Sequence, residues 1–159
     1  MVNLRMIAVG RLKERYLSDG CEEYQKRLGA FCKVQMIELD ECRLPEQPGE
    51  RLIRAALDGE ADRILDKAKG SALIALCIEG EPCSSEQLAA RLEKLAVGGT
   101  GTVSFVIGSS HGLSERVKQA AVWRMSMSQM TFPHQLARLM LCEQLYRAAS
   151  ISAGGKYHK

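Results

Sequence analysis

The chain has 159 residues, 46% of them hydrophobic and 26% charged, which suits one globular domain and excludes a disordered polyelectrolyte. Its longest apolar runs, such as residues 72–78, fall far short of the roughly 18 that a membrane helix needs. The formal net charge is only +3, yet residues 101–159 carry basic groups against just Glu115 and Glu143, which points to an anionic partner there.

The first residues show no basic stretch leading into a long apolar core, so the expectation is a cytoplasmic protein without a signal peptide. Cysteines at 21, 32, 42, 77, 83 and 142 form no CxxC pair and no zinc-ligand spacing. His111, His134 and His158 are scattered, so no metal is expected.

Leu4 to Val9, ending at Gly10, reads as a first strand. A helix follows, with Leu17, Cys21, Tyr24, Leu28 and Phe31 at steps of three and four. Val34 to Leu39 is a second strand. Gln47-Pro48-Gly49 opens a helix striped by Ile53, Leu57, Ala61, Ile64 and Ala68, closed at Gly70.

Residues 72–78 are apolar without alternation, as in a parallel strand covered on both faces. Ser84-Ser85-Glu86-Gln87 matches a capping box before a helix carrying Leu88, Leu92 and Leu95. Val103 to Ile107 is a fourth strand, entering Gly108-Ser109-Ser110-His111-Gly112. A short helix with Leu113, Val117 and Ala120 leads to a fifth strand, Val122 to Met127. Pro133 suits the first turn of a last helix reaching about Ile151. That helix is apolar over most of its circumference, so a second subunit is expected to cover it. The alternation predicts a single α/β domain, a mainly parallel sheet with helices on both faces.

Ligands of such sheets sit outside the carboxyl ends of the strands. Three loops stand there: residues 79–83, 108–112 and 126–132. Neither GxGxxG nor GxxxxGK[ST] occurs, which removes the nicotinamide-binding Rossmann and P-loop classes. Gly108 to Gly112 does fit GxSxG, with Ser110 as nucleophile and Glu115–His134 or Glu143–His158 completing a hydrolase triad. The chain is short for that fold, and Glu115 lies in the helix that would follow the elbow.

A more specific signal runs through Met125-Ser126-Met127-Ser128-Gln129-Met130-Thr131-Phe132-Pro133-His134-Gln135. It continues in Glu143-Gln144-Leu145-Tyr146-Arg147-Ala148 and ends in Lys156-Tyr157-His158-Lys159. With Ala8-Val9-Gly10 and Phe105-Val106-Ile107-Gly108, the chain resembles, over its whole length, the ribosomal large subunit methyltransferase H family of the SPOUT class. It departs at Ser109, where the family commonly has glycine, and at Cys77, where it often has aspartate.

The resemblance implies a homodimer with a C-terminal trefoil knot that uses S-adenosylmethionine to methylate N3 of a pseudouridine in 23S rRNA on the assembled ribosome. Carried over by position, cofactor contacts fall at Leu76, Gly108, Met127, Ser128, Gln129, Met130, Thr131 and Phe132. A side chain at Gly108 is expected to fill the ligand space and leave the fold intact. Tyr157 and His158 take the catalytic roles: the tyrosine stacks on the base, while the histidine accepts the N3 proton or orients the base. Lys156 and Lys159 contact phosphate, and Arg138 joins them or lies at the subunit interface. Arg147 has the same interface role or pairs with Glu143. A non-catalytic RNA-binding or assembly protein of the same fold is the competing reading.

Overall fold

A computed structural model describes residues 1–159. The elements are β1 (Asn3–Val9), α1 (Arg15–Leu28), β2 (Val34–Leu39), α2 (Glu50–Lys67), β3 (Ala72–Pro82), α3 (Ser85–Val97), β4 (Thr102–Ile107), α4 (Glu115–Ala120), β5 (Trp123–Ser126) and α5 (His134–Ser152). The five strands form one sheet in the order β2-β1-β4-β3-β5. Every pairing is parallel, as connection through intervening helices requires.

Strand periodicity divides the core. Leu4, Met6, Ala8, Phe105 and Ile107 face one layer, where they join Cys21 of α1, Leu88 and Leu92 of α3, and Leu141 and Leu145 of α5. Ile7, Val9, Ala75 and Val106 face the other layer and pack on Ala61 and Ile64 of α2 and Val117 of α4. Both faces are therefore dry from Met6 to Val9 of β1 and from Phe105 to Ile107 of β4, which explains those unbroken apolar runs.

Helix α5 lies between α1 and α3 on the first face. Leu141, Cys142, Leu145, Ala148 and Ala149 are fully buried, and Leu139 presses on Gly20 of α1. Most of its apolar circumference is thus covered within one protomer, contrary to the expectation that a partner must supply that cover. Leu136 and Met140 remain half-exposed.

Local signals explain the ends. The Ser84 hydroxyl accepts from Gln87 N at 3.1 Å while Gln87 Oε1 accepts from Ser84 N at 2.8 Å, the reciprocal capping box of α3. Two elements depart furthest from their sequence bounds. Helix α1 stops at Leu28, and Phe31 instead leans on Tyr146 of α5 at 6.1 Å between ring centroids. Strand β3 runs on to Pro82, but Leu76 and Glu81 both pair with Met125, so residues 77–80 bulge out of the ladder. Gly80 permits this: a Cβ there would stand 2.7 Å from the Arg124 carbonyl oxygen.

Candidate active site

Strand order places the carboxyl ends of β4, β3 and β5 side by side, and the segments that follow them enclose a cavity of about 530 Å³. This lies within the range of about 300–1,000 Å³ usual for small-molecule sites. Leu76, Ile107, Leu113 and Met125 supply apolar lining; residues 108–110, 126–128 and 130–132 make much of the rest. The first turn of α5 closes it with Pro133, His134 and Ala137.

The segment after β5 is held by its own hydroxyls. Ser126 Oγ donates to the Ser128 carbonyl at 3.0 Å, and Ser128 Oγ accepts from Met130 N at 3.0 Å. Such short side-chain bonds to backbone fix an irregular segment without a ladder. Across the cavity, Gly112 N donates to the Ser109 carbonyl at 2.9 Å, and Gly112 takes φ +85°. Only glycine adopts that conformation without strain.

Of the residues expected at the cofactor, Leu76, Gly108, Met127, Ser128, Met130, Thr131 and Phe132 line this cavity together. Gln129 does not; it is exposed on the outside of its turn. Gly108 is in place for a reason other than ligand space. A Cβ there would lie 2.6 Å from the Gly112 carbonyl carbon and 3.0 Å from Leu113 Cδ2. A side chain would therefore break the turn itself, and the expectation of an intact fold is corrected.

An ion pair stands at the rim. Lys118 of α4 pairs with Glu79 on the β3 bulge, and both line the cavity. The Lys118 hydrogen bond holds the Glu79 carboxyl below its usual range. The pair ties α4 to β3 over 39 residues of chain, a contact without a sequence motif.

Arg138 is corrected outright. It is 1% exposed, donating to Glu38 Oε2 at 2.6 Å and to the Gly10 carbonyl at 2.9 Å. A guanidinium so enclosed cannot meet an RNA phosphate. Lys156 and Lys159 remain exposed.

Tyr157 and His158 do not line the cavity. They fold back along α5 instead. The Tyr157 ring meets Tyr146 edge-on at 4.7 Å, lies 4.7 Å from the Arg147 guanidinium, and its hydroxyl donates to Glu143 Oε1 at 3.1 Å. Hydrogen bonding with Tyr24, burial and the Glu143 carboxylate push the phenol up. Arg147 also pairs with Glu143 at 2.6 Å, so the ion-pair alternative for Arg147 is present. His158 Nε2 lies 2.7 Å from Glu86 Oε1.

The hydrolase constellation is not assembled. Glu115 faces Lys118 and Arg124 rather than a histidine, and Glu143 is engaged by Arg147 and Tyr157. No group of histidine, cysteine or carboxylate side chains is arranged to hold a metal ion.

A family model described as "Predicted SPOUT methyltransferase" matches residues 2–158. "Ribosomal RNA large subunit methyltransferase H" of Bacillus pumilus is 49% identical over 99% of this chain and all of its own length. The protein of that name from Streptococcus thermophilus is 47% identical over the same shares. The chain belongs to the ribosomal RNA large subunit methyltransferase H family, of the SPOUT methyltransferases. The fold of this SPOUT domain is also found in solved structures. A probable methyltransferase from Bordetella pertussis superposes with a TM-score of 0.58 over 93% of this chain and 95% of that one, at 16% identity. A putative methylase family protein from Neisseria gonorrhoeae gives 0.52 over 91% and 82%, also at 16% identity.

Proposed function

We propose that this SPOUT enzyme transfers a methyl group from S-adenosylmethionine to N3 of a pseudouridine in 23S rRNA, in the cytoplasm and on the assembled ribosome. The observation that carries this reading is the convergence of Leu76, Gly108, Met127, Ser128, Met130, Thr131 and Phe132 on one cavity. Those positions come from three separate stretches of chain: Leu76 from β3, Gly108 from the segment after β4, and the rest from the segment after β5.

The cavity suits the cofactor. Leu76, Ile107, Leu113 and Met125 offer apolar surface for an adenine ring. In this reading the chain at 108–110, 126–128 and 130–132 meets the polar edge of the ring, and Glu79 and Lys118 supply opposite charges at the rim. When bound, S-adenosylmethionine supplies an electrophilic methyl group. The rigid loops hold the donor, and a fixed geometry between two bound reactants is worth about 7–11 kcal/mol of barrier. The remaining requirement is removal of the N3 proton as the new bond forms.

This reading includes the family's trefoil knot and a homodimer. The half-exposed Leu136 and Met140 of α5 form the subunit contact. Tyr157 and His158, remote from their own cavity, then act at the partner's. Tyr157 stacks on the base, His158 takes the N3 proton, and Lys156 and Lys159 meet phosphate.

The test has two stages. Titration calorimetry with S-adenosylmethionine is expected to show saturable binding, and an absence of heat at millimolar cofactor overturns the reading. Transfer of labelled methyl to ribosomes lacking the modification is then compared with transfer to free rRNA. Ribosomes are the expected acceptor.

A further inference from the structure

The neighbours of His158 determine which of its ring nitrogens carries the proton. Arg147 Nη1 lies 3.3 Å from His158 Nδ1. A guanidinium has only donors, so Nδ1 must present its lone pair. Nε2 then holds the hydrogen and donates to Glu86 Oε1 at 2.7 Å. The carboxylate sits in the first turn of α3, and the guanidinium on α5. Both helices are anchored in the buried core through Leu88, Leu92, Leu141 and Leu145.

We infer that Glu86 is a positioning residue for His158, fixing its Nε2–H tautomer so that Nδ1 is the nitrogen that receives the substrate proton. The inference rests on the proposed role of His158 at the partner's site. A carboxylate that orients an imidazole and stabilises the imidazolium formed during reaction is the same logic that operates in hydrolase triads. In the transfer, the N3–H bond breaks and its proton moves to Nδ1 as the N3 electron pair bonds the methyl carbon. The carbon–sulfur pair returns to the departing sulfur. Arg147 must release Nδ1 for this, and Glu143 is placed to retain the guanidinium through its bond at 2.6 Å.

Hydrogen bonds favour an ionised Glu86. Its carboxyl accepts from its own backbone N–H, from Ser84 and from His158, which hold it down at about 2. Glu143 and Arg147 of α5 also face the segment. The Glu86 side chain is 59% exposed and supports no core packing.

The experiment uses the full-length dimer and three variants: Glu86→Ala, Glu86→Gln and His158→Ala. Imidazole ¹⁵N shifts of wild type, with His158 assigned by its loss in His158→Ala, are expected to report a single Nε2–H tautomer. Glu86→Ala leaves only the long 3.3 Å contact with Arg147 to bias the ring, and is expected to admit the second tautomer and lower kcat on ribosomes at least tenfold, with S-adenosylmethionine Kd unchanged. Glu86→Gln, whose amide oxygen still accepts from Nε2–H, is expected to restore the tautomer and part of kcat. Wild-type kcat in Glu86→Ala alongside an inactive His158→Ala overturns the inference, as does an Nδ1–H tautomer in the wild type. Full activity in His158→Ala instead overturns the proposed role of the tail, a separable failure.

Discussion

Arg138 of α5 and Glu38 of β2 form an ion pair across 100 residues of chain, at 2.6 Å, with the guanidinium 1% exposed and the carboxylate side chain 41% exposed. The asymmetry decides which partner is dispensable. Removing Glu38 strands a buried cation with only the Gly10 carbonyl for company, whereas removing Arg138 leaves a carboxylate that water can reach. Glu38→Ala is expected to cost about 3 kcal/mol, the low end for breaking a buried pair because water still reaches the site. Arg138→Met, which keeps most of the volume, is expected to cost less. Thermal unfolding at one fixed protein concentration checks the order, and a larger loss in Arg138→Met contradicts it.

A second expectation separates two glycines of one turn. Gly108→Ala drives a Cβ against the Gly112 carbonyl carbon at 2.6 Å, a backbone atom that cannot yield alone. Gly112→Ala meets nothing within 4 Å but must hold φ +85°. The strain at Gly112 is of order 1–3 kcal/mol. Urea unfolding is expected to show the greater loss for Gly108→Ala, together with loss of cofactor binding. If Gly108→Ala binds S-adenosylmethionine normally, the turn is more pliable than its contacts imply.

The strands, the capping box and the loops at 108–112 and 126–132 were legible in the sequence because each rests on local pattern, whereas residues 79–82, expected as a loop, belong to β3. Periodicity identifies the apolar faces of β1 and β4, and Ser84 with Gln87 encodes its own cap. What escaped was chemistry set by chain topology. The sequence says that Arg138 is basic; only packing of α5 over β1 says that it is buried. Lys118 and Glu79 meet because β3 bulges at residues 77–80, and that bulge depends on the approach of Gly80 to the β5 backbone. Glu86 read purely as part of a cap, though its carboxylate faces His158 from 72 residues away.

The segment after β5 divides residues that face the cavity from one that does not. Ser128→Ala removes the acceptor that holds Met130 N at 3.0 Å, and is expected to weaken S-adenosylmethionine binding about tenfold by loosening the wall, as loss of one hydrogen bond of roughly 1–1.5 kcal/mol allows. Gln129→Ala, on the exposed side, is expected to bind within about twofold of wild type. Calorimetry on the pair decides it. Equal losses refute the division.

Glu60 of α2 gives a pH expectation. It is 3% exposed, and its one hydrogen bond is accepted from Cys42 N at 2.9 Å. Burial pushes its carboxyl above the usual range. A raised folded value means that the native state holds this proton more tightly, so stability falls as pH rises from about 4.3, the unfolded value, through the higher folded one. Glu60→Gln removes that ionisation. The variant is expected to gain Tm on wild type at pH 7, with the difference shrinking towards pH 4. A gain independent of pH contradicts this account.

The proposed exchange of tails between subunits is tested by mixing. Deleting Tyr157 to Lys159 removes the bonds to Glu143 and Glu86 but touches neither the cavity nor the buried face of α5, so cofactor binding and dimerisation are expected to survive while methylation is lost. Met127→Arg places a charge in the cavity wall and is expected to abolish cofactor binding with the tail intact. Each homodimer is then inactive for a different reason. After unfolding and refolding together in equal amounts, half the dimers are mixed, and each of these has one subunit with a sound cavity facing a partner with a sound tail. About a quarter of wild-type activity is expected, as one competent site in two for half the population requires. If each cavity were served by its own tail, both sites of a mixed dimer would be broken and no activity would return.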